Sequence, residues 1–287
     1  MARIPIPSRF NTPCTRKAYD RLRERLQRLT TPVVERSECE AVYHCCTHKA
    51  ASTWFKNVLS DPRVFKYSGL TCYTYQRYLP DRVDRRPVYE RDFYNVRFPR
   101  GIIATPLYAD YPHFHTIGKP NTWRAFFVLR DPRDLVVSWY FSMRDTHPEM
   151  SEQITERRER LRRLDKQDGL SLAIEEMADQ GIFESQRSWA NVDDADNRYV
   201  KVVRFEELFG DQQFELMRGL MDHLRIPIPN NALGELLSAY SFQKLQDRNQ
   251  HYRRGKSGNW ARHLTEQHLE LLENQTDDIV RTLGYPN

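Results

Sequence analysis

The sequence predicts an α/β protein whose central parallel sheet is flanked by helices on both faces. Short apolar runs alternate along the chain with stretches of helical periodicity, which is the order of strand–helix units. The runs at residues 41–46 and 124–130 each lead into a polar turn and then a helical pattern. Strands that alternate with helices pair in parallel and are covered on both faces. The length of 287 residues suits a single domain over residues 1–287.

The elements are expected in the following order. Residues 1–12 contain prolines and should form a loose arm. Over residues 17–29, leucines recur at helical spacing, which predicts a surface helix that packs one stripe on the core or, alternatively, contacts a partner. The remaining elements are a strand at 41–46, a helix at 52–59, an irregular aromatic-rich stretch at 61–100, strands at 101–104 and 124–130, a helix at 132–143, a charged helix at 149–166 broken by Gly169, a helix to about 189, a strand at 199–203, helices at 211–224, 230–239 and 264–283, and a flexible basic loop near 248–259.

Composition limits the functional classes. Hydrophobic residues make up 39% and charged residues 29%, which is typical of a globular protein. The net charge of +5 fits solubility or a few arginines that face a polyanion, and we find no nucleic-acid motif. No apolar stretch approaches the roughly 20 residues that span a bilayer, and the N-terminus lacks the apolar core of a secretory signal. We therefore expect a cytoplasmic protein without stable membrane insertion.

The cysteines include no CxxC pair, which argues for reduced thiols and against a zinc site.

Three segments carry the expected chemistry. The first reads CTHKAASTW over residues 46–54 and offers Lys49, hydroxyls and backbone N–H groups at a helix N-terminus, where phosphate binds well. The second reads LRDPRDLVVS over residues 129–138 and places Arg130 at a strand end and Ser138 on the next helix. The third reads RRGKSGNW over residues 253–260 and adds positive charge to a glycine-containing loop. Together they predict a nucleotide clamp.

These segments resemble the motifs of the PAPS-dependent sulfotransferases, which take the sulfuryl group from 3′-phosphoadenosine 5′-phosphosulfate (PAPS). In that family the motifs read approximately T-x-P-K-x-G-[ST]-[ST]-W, R-[DN]-P-x-D-x-x-x-S and R-K-G-x-x-G-x-W. They occur here in the same order, and the resemblance extends from about Tyr43 to Trp260. It implies a P-loop-NTPase-like sulfotransferase fold and an enzyme that uses PAPS as co-substrate.

The resemblance also implies a role for each site residue. Lys49 is expected to stabilise the charge that develops on the leaving phosphate. Ser52 and Thr53 are expected to bind the 5′-phosphate, with a helix-capping role as the alternative for Ser52. Trp54 is expected to stack on the adenine, with core packing as the alternative. The implied cofactor-binding set is completed by Ala50, Ala51, Arg130, Ser138, Phe205, Ser241, Phe242, Arg253, Arg254 and Gly255, of which Arg130, Ser138 and residues 253–255 belong to the 3′-phosphate.

The chain departs from the family pattern at several positions. Ala51 stands where the family often has glycine, which reduces the freedom of the loop. His48 replaces a proline, and Phe205 replaces the tyrosine of a Y-E-[DE]-L turn. Arg133 is expected to pair with Asp134 or with a nearby glutamate.

The general base is the least defined part of the site. Many cytosolic members carry a histidine just after the second strand, but residues 103–107 read IATPL here. We expect the base to be Asp110, His113 or His115, which follow directly. His48 and His147 remain open alternatives.

We therefore predict transfer of a sulfuryl group from PAPS to a hydroxyl, or with less support an amine, of a small-molecule, lipid or glycan acceptor, with release of PAP. No metal is required for this chemistry, because lysine and backbone dipoles supply a positive field. Two alternatives are open. The chain could bind PAPS or PAP without turnover, or it could be a nucleotide-kinase-like P-loop enzyme, although it lacks G-x-x-x-x-G-K-[ST]. The oligomeric state is also open.

Overall fold

The computed structural model describes residues 22, 26, 29–74, 87–90, 98–147, 152–190, 192, 198–241, 244 and 257–286. In this part of the chain, a sheet of five strands has the order β2-β3-β1-β4-β5. Every neighbouring pair is parallel. The strands are β1 Ala41–Cys46, β2 Thr71–Tyr73, β3 Ile102–Leu107, β4 Trp123–Leu129 and β5 Val200–Arg204. The predicted parallel α/β fold is therefore confirmed.

Helices surround the sheet. The α-helices are α1 Ser52–Leu59, α2 Pro62–Lys66, α3 Tyr111–His115, α4 Pro132–Phe141, α5 Glu152–Arg163, α6 Lys166–Asp179, α7 Ile182–Ala190, α8 Gln213–His223, α9 Asn230–Ala239, α10 Glu266–Thr276 and α11 Ile279–Thr282. Short 3-10 turns lie at Val88–Glu90, Phe205–Glu207 and Asn259–Arg262, and a π-helical turn at Ser142–Thr146 follows α4.

The central strand β1 shows how both faces of the sheet are covered. All its residues are buried. On one face, the Tyr43 ring packs edge-on against Phe114 of α3 at 5.5 Å. On the other face, His44 packs against Phe55 of α1 at 4.9 Å. Burial lowers the pKa of His44 to about 3, so this imidazole is a neutral core group.

Two parts of the irregular prediction for residues 61–100 are wrong. Pro62–Lys66 forms α2, which Asp61 caps by accepting a hydrogen bond from the backbone N–H of Arg63. Thr71–Tyr73 forms β2, which among the described residues lies at the edge of the sheet and pairs only with β3. A strand this short shows no period of its own, because its pairing partner lies 31 residues away at Ile102.

The predicted helix break at Gly169 is also wrong, since Gly169 lies inside α6. The break comes before it, where Asp165 caps α6 by accepting a hydrogen bond from the N–H of Asp168. A Cβ atom at residue 169 would lie 2.5 Å from the Tyr140 ring. The glycine therefore allows α4 and α6 to approach closely.

The leucine stripe predicted to pack on the core does not do so. Leu22, Leu26 and Leu29 are 57%, 46% and 83% exposed. The rest of that segment and residues 1–12 lie outside the described residues, as do residues 248–256 of the predicted basic loop. The predicted helix at 264–283 is divided into α10 and α11 by Asp277 and Asp278, which both adopt positive φ.

The parallel sheet brings the first two predicted motifs together at the carboxyl ends of its strands. β1 ends at Cys46 before the first motif, and β4 ends at Leu129 before the second. The pairing of Cys46 with Val128 and of Leu129 with Arg204 places these strand ends together with the end of β5. Ligands bind outside the carboxyl ends of strands in such sheets.

Candidate functional site

The loop after β1 turns sharply into the start of α1. Lys49 and Ala51 adopt the left-handed conformation, with φ of 69° and 55°. Ala51 is the N-cap of α1 and provides no side-chain cap, so the alternative that Ser52 caps this helix is wrong. Ser52 and Thr53 are the first two helical residues, half-buried and exposed respectively. Uncapped N–H groups at a helix start attract negative charge.

Arg130 connects this loop to the second motif. Its Nη1 donates a hydrogen bond to the carbonyl oxygen of Lys49 at 2.6 Å. Its guanidinium lies over the Phe205 ring at 3.9 Å, and its backbone N–H donates to Oε1 of Gln186 at 2.9 Å. Burial lowers the pKa of Arg130, and the charge of Asp134 opposes that effect. The guanidinium stays charged, because arginine does not lose its proton in proteins.

Several buried polar atoms at this edge make no hydrogen bond within the part of the chain that the structure describes. They include Nε of Arg130, Nε2 of Gln186 and Oγ1 of Thr47. Buried polar groups are normally satisfied, so unsatisfied donors beside a positively charged side chain fit an anionic ligand. The sequence indicates no role for Gln186, because its contact with Arg130 spans 56 residues.

Arg133 braces the start of α4. It forms a two-point ion pair with Asp131, with Nε–Oδ1 at 3.0 Å and Nη2–Oδ2 at 2.9 Å. The expectation that it pairs with Asp134 or a glutamate is therefore wrong. The guanidinium also lies over the Trp260 ring at 3.9 Å and donates to the carbonyl oxygen of Pro286 at 2.7 Å. It is only 3% exposed, so it acts inside the fold.

Asp134 joins the second motif to the end of the third. Its carboxylate accepts the backbone N–H of Gly258 at 2.7 Å and that of Trp260 at 2.9 Å. Burial raises the pKa of Asp134, while Arg130 and these two N–H groups lower it. Phe242, Arg253, Arg254 and Gly255 lie outside the described residues, so their predicted contacts stay predictions.

Glu206 ties the end of β5 to the same edge, which the sequence did not indicate. Its Oε1 accepts the backbone N–H of Asp131 at 3.0 Å, and its Oε2 accepts the Tyr285 hydroxyl at 3.0 Å. Burial raises the pKa of Glu206. These contacts span 75 and 79 residues, and no local pattern could reveal them.

Trp54 lies within the core in this structure. It is 1% exposed, and its indole N–H donates to the carbonyl oxygen of Tyr240 at 2.9 Å. Its ring meets Phe55 and Phe209 edge-on, at 4.8 and 5.5 Å. Tyr240 directly precedes Ser241, so the bond brings the first motif next to another residue that the resemblance assigns to cofactor binding. An adenine contact of Trp54 stays a prediction.

The candidate bases lie after β3. Oδ1 of Asp110 accepts the backbone N–H of His113 at 2.8 Å and lies 2.6 Å from its Nδ1. His115 is exposed and meets the Tyr111 ring edge-on at 4.4 Å. His48 stacks on Tyr108 at 4.1 Å, which brings the chain that leads to Asp110 against the lysine loop.

The comparisons with known proteins decide the family. The family model described as "Sulfotransferase domain" matches residues 47–283. The chain belongs to the sulfotransferase family. The prediction of a PAPS-dependent sulfotransferase is thereby confirmed. A search of the curated protein sequences finds no match.

Two solved structures share the fold of this sulfotransferase. The mouse sulfotransferase SULT7A1 complexed with PAP is 17% identical, with a TM-score of 0.55, and the match covers 91% of this chain and 92% of that one. Retinol dehydratase in a complex with retinol and PAP is 13% identical, with a TM-score of 0.50 and coverage of 90% and 84%. At these identities the likeness concerns the fold.

Two features are absent from the described residues. No helix among them is sufficiently long and apolar to cross a membrane. Within the same ranges, no group of three or more histidine, cysteine, aspartate or glutamate side chains could hold a metal ion.

Proposed function

We propose that this sulfotransferase moves the sulfuryl group of PAPS to a hydroxyl of a small-molecule, lipid or glycan acceptor and releases PAP. The observation that carries the proposal is the 2.6 Å hydrogen bond from Arg130 to the Lys49 carbonyl. This bond holds the second motif, which is proposed to bind the 3′-phosphate, against the first motif, which is proposed to bind the 5′-phosphosulfate. PAP in the two solved relatives supports the same donor here.

Lys49 is the proposed electrophilic residue. In the transfer, a bond forms between the acceptor oxygen and sulfur, and the bond from sulfur to the bridging phosphate oxygen breaks. The electron pair goes to the phosphate of PAP. The ammonium of Lys49 and the N–H groups at the start of α1 stabilise that charge. The left-handed backbone of Lys49 and Ala51 turns the loop towards the helix start.

We infer that His113 is the general base and Asp110 its positioning residue. A carboxylate only accepts hydrogen bonds, so the 2.6 Å contact assigns the proton to Nδ1 of His113 and leaves Nε2 to accept. Nε2 would take the proton of the acceptor hydroxyl, while Asp110 stabilises the resulting imidazolium. Asp110 follows Tyr108 by two positions, and Tyr108 stacks on His48 beside Lys49.

The residues proposed to bind the 3′-phosphate are Arg130 and Ser138, with Arg253, Arg254 and Gly255 as further candidates. The unsatisfied Nε of Arg130 supports this assignment. The Arg130 guanidinium carbon lies 3.9 Å from the centre of the Phe205 ring, and this cation–π contact positions the guanidinium. Asp134 and Arg133 fix Gly258 and Trp260, which form the end of the third motif.

We further propose a single domain and a cytoplasmic location. One hydrophobic core includes residues from Cys39 to Leu283, which supports the single domain. Among the described residues, Cys39, Cys45 and Cys46 form no disulfide, which suits a reducing compartment. Fractionation of cells that express the full-length chain tests the location, and recovery with the membrane or secreted fraction would contradict it.

Turnover tests the proposal. The full chain is incubated with ³⁵S-labelled PAPS and a panel of phenols, sterols, fatty alcohols and glycans, and labelled product is measured. We expect transfer to at least one hydroxyl acceptor and a loss of roughly 10²–10³ in kcat for Lys49→Ala. Lys166→Ala, at the exposed start of α6, is the matched control. PAP binding without any transfer would favour the non-catalytic alternative.

The base is tested separately with the acceptor found. His113→Ala should lower kcat by about 10²-fold or more, whereas His115→Ala should not. Asp110→Asn should lower kcat less, because Nδ1 of His113 keeps a hydrogen-bond acceptor although the imidazolium loses a carboxylate partner. Wild-type kcat in His113→Ala would remove this residue from the mechanism and direct attention to His48 or His147.

A further inference from the structure

A basic cavity lies at the amino ends of the strands, at the end of the sheet opposite the proposed transfer site. It has a volume of about 530 Å³ and is lined by Arg124, Arg198, Tyr199, Asp222, His223 and Arg225. Arg124 and Tyr199 lie at the amino ends of β4 and β5, whereas the proposed transfer site lies at their carboxyl ends. β4 has seven residues, so roughly 20 Å separate the two places.

Tyr199 organises two of the arginines. The guanidinium carbon of Arg124 lies 5.2 Å from the centre of the Tyr199 ring, and that of Arg198 lies 4.5 Å from it. Trp123 stacks on the same ring at 5.0 Å and holds it in place. Cation–π contacts therefore fix both positive charges at the cavity wall before any ligand arrives.

Arg225 breaks a local rule of helix termination. It follows α8 in a Schellman turn, in which the N–H of Ile226 donates to the carbonyl of Met221 at 2.9 Å. Its φ is 56°, a conformation that favours glycine or asparagine at this position. An arginine there is less favourable for folding than glycine, and such departures are typical of functional sites.

Of two carboxylates near the cavity, one pairs with an arginine outside the cavity lining and the other pairs only weakly with a cavity arginine. Oδ1 of Asp222 accepts a hydrogen bond from Nη2 of Arg218 at 2.6 Å. Glu38 lies 3.8 Å from Nε of Arg225, but both side chains are largely exposed, so the pair is weak. His223 donates from Nε2 to the Ala125 carbonyl at 3.0 Å, and burial lowers its pKa.

We propose that this cavity binds a multiply charged phosphate or sulfate anion, at a site separate from sulfuryl transfer. Three arginines line this one cavity, so their charges repel each other, and an anion with at least two charges would offset that repulsion. Guanidinium groups also match the geometry of phosphate and sulfate oxygens. The site does not depend on the acceptor, the base or turnover.

The test is calorimetry on the full chain with one equivalent of PAP, which fills the proposed transfer site and leaves no free bisphosphate to occupy the cavity. Inorganic pyrophosphate and inorganic sulfate are the two probes, and they separate phosphate from sulfate recognition. We expect saturable binding of pyrophosphate at millimolar concentrations or below. Arg124→Gln should weaken it by about tenfold and the half-exposed Arg225→Gly by about threefold or more. Arg281→Ala, a side chain 82% exposed on α11, should have no effect.

Arg225→Gly keeps the test decisive, because glycine favours positive φ and should leave the melting temperature unchanged or raised. Weaker binding in this variant cannot then come from unfolding. The proposal would be overturned by an absence of saturable heat with both probes, or by wild-type affinity in both Arg124→Gln and Arg225→Gly. Saturable binding of sulfate alone would support the proposal as a sulfate site, and saturable binding of pyrophosphate alone would support it as a phosphate site.

Discussion

Replacement of Ala51 by glycine should stabilise this sulfotransferase. Ala51 has φ of 55° and ψ of 16°, and the left-handed conformation costs an L-residue roughly 1–2 kcal/mol. Glycine avoids that cost but loses about 0.5–1 kcal/mol through the greater freedom of the unfolded chain. The net gain in the free energy of unfolding is therefore about 0 to 1.5 kcal/mol, and a gain of about 1 kcal/mol corresponds to a rise in melting temperature of roughly 2–4 °C.

The neighbouring residue provides the control. Ala50 is fully buried and does not have positive φ, so Ala50→Gly loses apolar burial and chain stiffness without relief of strain. It should destabilise the protein by about 1 kcal/mol. Both variants are measured by thermal unfolding at several scan rates. A lower melting temperature in Ala51→Gly would refute the reasoning, because it would show that the loop does not hold residue 51 in the left-handed conformation.

Three further predictions concern the site and its support. Asp134→Asn should weaken PAP binding by about tenfold, because one of the N–H groups of Gly258 and Trp260 loses its acceptor; unchanged affinity in calorimetry would separate that anchor from the cofactor. Trp54→Phe should lower the free energy of unfolding by about 0.5–1.5 kcal/mol, since the Tyr240 carbonyl loses its donor, and a stability equal to wild type would contradict the bond. Gly169→Ala should cost about 1–3 kcal/mol against the Tyr140 ring, whereas an alanine at the open helical position Gly234 should not destabilise; denaturant midpoints decide both.

The sequence predicted the parts of the fold that have a local cause. β1 and β4 are apolar runs followed by motif turns, and both were located to within a residue. β2 was missed because its three residues are defined by pairing with β3. Gly169 was read as a breaker from residue type alone, although the close approach of Tyr140 gives it a packing role inside a helix.

The same distinction applies to the site. The three motifs were predicted to form one clamp, and the structure brings the described parts of them together. The supporting contacts of Gln186 and Glu206 were not predicted, because they connect residues that only the folded sheet brings together. The predicted partner of Arg133 was wrong for a similar reason. Asp131 and Asp134 are both close to it in sequence, and only the geometry of the turn selects between them.

Nucleotide discrimination tests the central claim most directly. PAP and adenosine 5′-monophosphate differ only in the 3′-phosphate, and calorimetry with both ligands isolates its contribution. We predict that the wild-type chain binds PAP at least about tenfold more tightly, and that Arg130→Ala and the milder Ser138→Ala both reduce this ratio. Thermal unfolding of each variant checks that the fold is intact, and Arg281→Ala should keep the wild-type ratio. Equal affinity of the wild-type chain for the two nucleotides would contradict the account.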